Sequence, residues 1–115
     1  MRNPELIKIT RLLKSKTLES DAPIWRTLAE KLEKPKHSRY TVNVSRINRS
    51  TKNGETVTVP GKVLGTGTLN HKVSVAAFSF SEAARNKIEA AGGKCLTFSA
   101  LVKKNPKGTD LKIIG

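Results

Sequence analysis

Pro35 divides this 115-residue chain into two kinds of pattern, and that division limits what it can fold into. Proline cannot continue a helical hydrogen-bond ladder. Before Pro35, apolar residues recur at helical spacing. After it, the apolar runs are short, often β-branched, and separated by Gly, Asn and Pro.

In the first part, Pro4 suits a first helical position, Asn3 can cap it, and Glu5 opposes the positive end of the dipole. Leu6, Ile9 and Leu13 form a stripe that Ile7 and Leu12 widen. Lys8, Arg11 and Lys14 fall on the other face, where an ordinary solvated role is favoured over an RNA-facing one. Lys16 to Ala22 reads as a polar link. Pro23 then opens a second helix, with Trp25, Leu28, Ala29 and Leu32 on one face. Trp25, the sole tryptophan, reads as a core anchor between the two helices rather than a platform for a base.

In the second part, strands are expected at residues 40–44, 56–59, 73–78, 96–98 and 111–114. Ser45 could cap a short helical turn holding Ile47 inward and Arg46 and Arg49 outward. Asn53-Gly54 is a turn signal. Ser81 should cap a helix that runs to Ala91, with Ala84, Ile88 and Ala91 inward and Gly92-Gly93 closing it. Ser99 should begin a short helix ending near Lys104, and Asn105-Pro106-Lys107-Gly108 a turn. The expected fold is mixed α/β in one compact domain over residues 1–115, with helices first and then strands mixed with short helices.

The length is enough to bury a core without disulfides or metal. Cys95 cannot make an internal bridge and reads as a small core hydrophobe in a strand, which suits a reducing compartment. No apolar run could span a bilayer, and the first residues lack the apolar run of a signal peptide, so a soluble cytoplasmic protein is expected.

Charge speaks about partners. Lys plus Arg outnumber Asp plus Glu by 22 to 9, a net +13. From Lys34 to Asn53 the chain holds Lys34, Lys36, Arg39, Arg46, Arg49 and Lys52 and no acid. This window feeds the glycine-rich segment Val59-Pro60-Gly61-Lys62-Val63-Leu64-Gly65-Thr66-Gly67, which matches neither a Walker loop nor a dinucleotide fingerprint. The glycines can serve tight turns, or let backbone N–H groups approach phosphates. Lys62 within the segment and Lys72 beyond it favour the second use.

Catalytic chemistry is poorly supported. His37 and His71 stand among Lys36, Arg39 and Lys72, neighbours that disfavour a protonated imidazole. No nucleophile elbow is present, and one cysteine with two separated histidines makes no tetrahedral metal site. Glu30 and Glu33, beside Lys31 and Lys34, read as solvated ion-pair partners. No enzyme activity, cofactor or small-molecule substrate is expected. Of the five aromatics, only Tyr40 lies in the basic window, which points away from base stacking and towards folded RNA held by shape and backbone. A basic face docked on an acidic protein is the alternative.

Three stretches are similar to a known family. Lys31-Leu32-Glu33-Lys34-Pro35-Lys36-His37-Ser38-Arg39-Tyr40-Thr41-Val42-Asn43-Val44-Ser45-Arg46-Ile47, the glycine segment from Val59 to Gly67, and Val75-Ala76-Ala77-Phe78-Ser79-Phe80-Ser81 resemble large-subunit ribosomal protein eighteen-e, as does Asn3-Pro4. The family is archaeal and eukaryotic and related to bacterial-type protein fifteen. The resemblance covers essentially the whole chain. It implies an irregular stack of β-β-α turns preceded by helices, and a structural role on large-subunit ribosomal RNA beside neighbouring ribosomal proteins, in the ribosome. By position it implies RNA contact at Lys34, Lys36, His37, Ser38, Arg39, Arg46 and Arg49, with Gly61, Lys62, Gly65 and Gly67 in the loop. Lys52 and Lys72 join these from their charge. The chain begins near its first helix, as archaeal members do, without the long basic arm of protein fifteen.

Overall fold

The structure, a computed structural model, describes residues 4–20, 23–32, 40–105, 108 and 111–114. Asn3 and the segment 33–39 lie outside the described residues, and with them Lys34, Lys36, His37, Ser38 and Arg39. Helices α1 (Pro4–Ser20) and α2 (Pro23–Leu32) come first. They are followed by β1 (Tyr40–Asn43), α3 (Val44–Ser50), β2 (Glu55–Leu64), β3 (Val73–Phe80), α4 (Glu82–Ala90), β4 (Lys94–Leu96), α5 (Phe98–Lys104) and β5 (Leu111–Ile113). The expected mixed α/β order, helices before strands, is what the chain adopts.

All strand pairings among the described residues are parallel, in the order β1-β2-β3-β4, with β5 also on β2. Gly61–Leu64 of β2 face Tyr40–Asn43, and Thr56–Thr58 face Leu111–Ile113. Because β3 occupies the other edge of β2, β5 and β1 lie end to end along one side of it. Parallel sheets bury both faces, and this one divides the core in two. Val42, Val57, Val59, Val63, Val73 and Val75 pack with Val44 and Ile47 of α3 and Ala84 and Ile88 of α4. Ala76 packs on the opposite side with Leu13, Trp25, Leu28, Leu32 and Phe98 of α1, α2 and α5. The helices thus sort into an α3–α4 side and an α1–α2–α5 side.

Several boundaries differ from the sequence expectation. Residues 16–20, read as a link, belong to α1; they contain neither Pro nor Gly, and polarity alone does not end a helix. Pro60 to Leu64, read as part of a glycine loop, remain in β2. The β2–β3 register shifts between Val59 and Lys62, across Pro60 and Gly61. A bulge there lets a proline without an N–H interrupt the ladder without ending the strand. Val44 begins α3 rather than ending β1, and Asn43, not Ser45, is the N-cap residue. Thr97, not Ser99, precedes α5: its hydroxyl accepts from the Ala100 N–H at 3.1 Å, which puts Phe98 inside the helix and fully buried rather than in a strand. Ser81 caps α4 as expected, accepting from Ala84 N–H at 3.1 Å. Cys95 is half-buried in β4, and burial pushes its thiol pKa up.

Candidate nucleic-acid interface

The candidate interface is built around α3. Val44 and Ile47, three residues apart, are fully buried and pin one side of the helix to the sheet. Helical geometry then sends Arg46 and Arg49, also three apart, to the outside, and both are exposed. Lys52 follows, exposed, just beyond the helix.

The stretch after β2, residues 65–72, runs alongside α3 and is laced to it step by step. Ser45 N–H donates to Thr66 O at 3.2 Å. Asn48 Oδ1 accepts from Asn70 N–H at 3.1 Å, and Asn53 Oδ1 from Lys72 N–H at 3.0 Å. Gly54 N–H donates to Lys72 O at 2.8 Å. Between them, the buried Thr51 hydroxyl donates its one proton to Ile47 O at 2.7 Å, so the His71 Nε2 lying 2.7 Å from Thr51 Oγ1 is the donor of that contact. His71 is thereby a strut holding the loop, and the exposed Lys72 after it is held by its backbone to Asn53 and Gly54.

Gly65 and Gly67 fix the other end of this loop. A Cβ on Gly65 would come within 2.6 Å of Ala83 Cβ and 2.9 Å of the α4 backbone, so only glycine lets the strand end approach that helix. Gly67 has φ +95 and abuts Ser45. The Lys87 ammonium of α4 donates to the carbonyls of both glycines, at 2.6 Å for Gly67. Close packing is one use these glycines have: the loop turns the Gly65 and Gly67 carbonyls to a protein cation.

Two other candidates stand apart. Gly61 is buried in β2 opposite Tyr40 and offers no surface, a correction that follows from the strand continuing through the bulge. Lys62 is exposed, but Val63 beside it points into the α3–α4 core, so strand alternation turns Lys62 to the opposite side of the sheet from Arg46 and Arg49. Arg46, Arg49 and Lys52 are exposed on and just after α3, the exposed Lys72 is tied by its backbone to Asn53 and Gly54, and Lys62 lies on the other side of the sheet.

Sequence reasoning missed the cations that hold the frame. Besides Lys87, Lys112 of β5 reaches Glu55 Oε2 at 3.1 Å and Ser50 O, at the carbonyl end of α3, at 3.3 Å. The Glu55 carboxylate also accepts from the Lys52 backbone N–H. That hydrogen bond first, and the Lys112 ammonium second, hold the Glu55 pKa below its ordinary 4.5. A carboxylate with a depressed folded-state pKa contributes stability above its unfolded pKa and loses it as pH falls through the folded value. The difference in melting temperature between the native chain and Lys112→Met is therefore expected at neutral pH, and to shrink as pH is lowered below 4.5. A difference that stays constant down to about pH 2 would show that Lys112 acts through Ser50 O and packing rather than through Glu55.

Among the described residues no cluster of three metal-ligating side chains occurs, and no helix is long and apolar enough to cross a membrane.

Comparison with known proteins gives one consistent result. Residues 3–114 match the family described as ribosomal protein 60S L18 and 50S L18e. Large ribosomal subunit protein eL18 of Methanothermobacter thermautotrophicus is 52% identical over 112 residues, which cover 97% of this chain and 93% of that protein. The protein of the same description from Methanococcus maripaludis is 47% identical with the same coverage. That from Archaeoglobus fulgidus is 45% identical over 97% of this chain and 96% of its own length.

Proposed function

The chain belongs to the family of ribosomal proteins 60S L18 and 50S L18e, and on that footing we propose that it is a structural, non-catalytic constituent of the large ribosomal subunit that grips folded large-subunit ribosomal RNA. It acts as a single domain in the cytoplasmic ribosome, beside neighbouring large-subunit proteins. The observation that carries this reading is the laced frame of α3 and residues 65–72, which fixes the backbone behind Arg46, Arg49, Lys52 and Lys72 while Glu55, the acid next in sequence, is engaged by Lys112. Cations on a fixed frame lose little entropy when they meet phosphates, and such contacts set position and affinity rather than sequence preference. Lys34, Lys36, His37, Ser38 and Arg39 are proposed as further RNA contacts from their resemblance to the family's basic motif. Gly65 and Gly67 serve it by closing the frame.

The test is binding of the whole protein to a large-subunit RNA fragment across a salt series. Counterion release makes log K fall with log salt by somewhat less than one unit per phosphate neutralised. The four described cations alone are expected to give a slope of about −3 or steeper. An affinity indifferent to salt would overturn the reading.

A further inference from the structure

We propose that Asn53-Gly54 is a site of spontaneous chemical modification by water, held shut by the backbone of Lys72 and opened when residues 65–72 leave α3. The modification is independent of the RNA-binding reading above; its consequence for binding rests on that reading.

Of the asparagines in the chain, only Asn53 is followed by glycine. Asn3 and Asn105 precede prolines, which have no N–H, and the others precede residues whose Cβ crowds the peptide nitrogen. Glycine leaves that nitrogen unhindered and its backbone free to turn. The reaction needs no enzyme. The Gly54 nitrogen gives up its proton to hydroxide and bonds to Asn53 Cγ. The Cγ–Nδ2 bond breaks, and the side-chain nitrogen leaves as ammonia with a proton taken from water, which restores the hydroxide. Water then opens the cyclic imide at one carbonyl or the other, giving aspartate or isoaspartate. Nothing is oxidised or reduced: an amide and water become a carboxylate and ammonium.

The turn itself is open to solvent. Asn53 and Gly54 are both exposed, and a Cβ placed on Gly54, at φ +88, would meet no atom within 4 Å. What opposes the reaction is a pair of hydrogen bonds to Lys72. Gly54 N–H, whose proton must leave, donates to Lys72 O at 2.8 Å. Asn53 Oδ1, on the carbon that must be attacked, accepts from Lys72 N–H at 3.0 Å. Because both bonds end on one residue, both are lost together when the loop lifts. Two bonds of this kind bias a local opening by about tenfold or more. Lys72 is kept in place in turn by the residues before it, through Asn70 N–H to Asn48 and His71 to Thr51.

The consequence is one of charge. Asn53 ends the window from Lys34 that holds no acid. Conversion puts a carboxylate next to Lys52 in sequence, and isoaspartate also lengthens the backbone in the turn between α3 and β2. A carboxylate there repels the phosphates that the neighbouring cations attract.

The experiment keeps the whole protein in warm, mildly alkaline buffer and follows Asn53 by peptide mapping that separates asparagine, aspartate and isoaspartate. Conversion is expected to be about tenfold or more slower in the folded protein than in the same chain unfolded in guanidinium. Asn48→Ala with His71→Phe cuts the ties of the loop without touching Asn53, Gly54 or Lys72, and should bring the rate several-fold towards the unfolded value. Thermal unfolding curves establish that this variant folds; if it does not, Asn48→Ala alone should raise the rate in the same direction. Equal rates in the folded and unfolded chains, or no conversion in the unfolded chain, overturn the proposal. A folded, loosened variant that reacts no faster than the native chain overturns it too. For the consequence, Asn53→Asp should weaken binding to a large-subunit RNA fragment several-fold at moderate salt. Affinity unchanged by Asn53→Asp overturns the consequence, whereas a native chain that binds no RNA overturns the RNA-binding reading and leaves the modification site standing.

Discussion

Reversing charge at Arg46 and Arg49 together, with glutamate at both positions, is expected to weaken binding to large-subunit RNA on the order of a hundredfold at moderate salt. The size follows from non-specific affinities of about 10⁻⁴–10⁻⁶ M shared over several phosphate contacts, which gives roughly 1 kcal/mol each. Reversal replaces attraction by repulsion and so costs somewhat more than deletion. The salt slope should flatten by about two units. The fold should survive, because both side chains are exposed and the buried Val44 and Ile47 hold α3 in place. A glutamate in the last turn of α3 opposes the helix dipole, at a cost of about 0.3–1 kcal/mol. Binding and chemical denaturation measured on the same sample separate the outcomes. Unchanged affinity would remove α3 from the interface, whereas a stability loss of several kcal/mol would make the arginines structural.

Trp25→Ala should have the largest effect on stability, about 3–5 kcal/mol, through lost transfer energy and the cavity left behind. Trp25 is fully buried, the largest of the fully buried side chains among the described residues, and packs in the cluster with Leu13, Leu28 and Phe98 that joins the N-terminal helices to the sheet. A domain of this size has about 5–15 kcal/mol in hand, so the variant should unfold at much lower denaturant or temperature. RNA binding by the fraction that remains folded should keep its salt slope at the α3 face, since Trp25 lies on the other side of the sheet. A loss below about 1 kcal/mol would mean that the cluster collapses around the missing ring.

Legibility in the sequence tracked the distance over which the information acts. Trp25, Leu28, Ala29 and Leu32 recur at helical spacing, and Ser81 stands three residues before the amide it caps, so both helices could be read locally. The split of Arg46 and Arg49 outward from Ile47 inward is likewise a matter of three residues. Pro60 and Gly61 misled because a strand survives them only with neighbours on both edges, and β1 and β3 supply these from elsewhere in the chain. Lys87 and Lys112 were illegible for the same reason: their acceptors lie 20 to 62 residues away. Lys62 was a different matter. Its side of the sheet follows from alternation with Val63, a pattern hidden once the segment is read as a loop.

The position of β5 has a consequence for timing. Its pairing with β2 joins residues 55 apart, the Thr58 hydroxyl bonds Lys112 O at 3.0 Å beside it, and folds built from such distant parallel pairings close slowly. The same strand brings Lys112 to the carbonyl end of α3. During synthesis, then, the helix that presents Arg46 and Arg49 exists long before this brace can arrive, and its carbonyl end is closed only once residue 112 has left the ribosome that is making it. A nascent chain would thus complete the frame behind this exposed basic helix only when β5 docks.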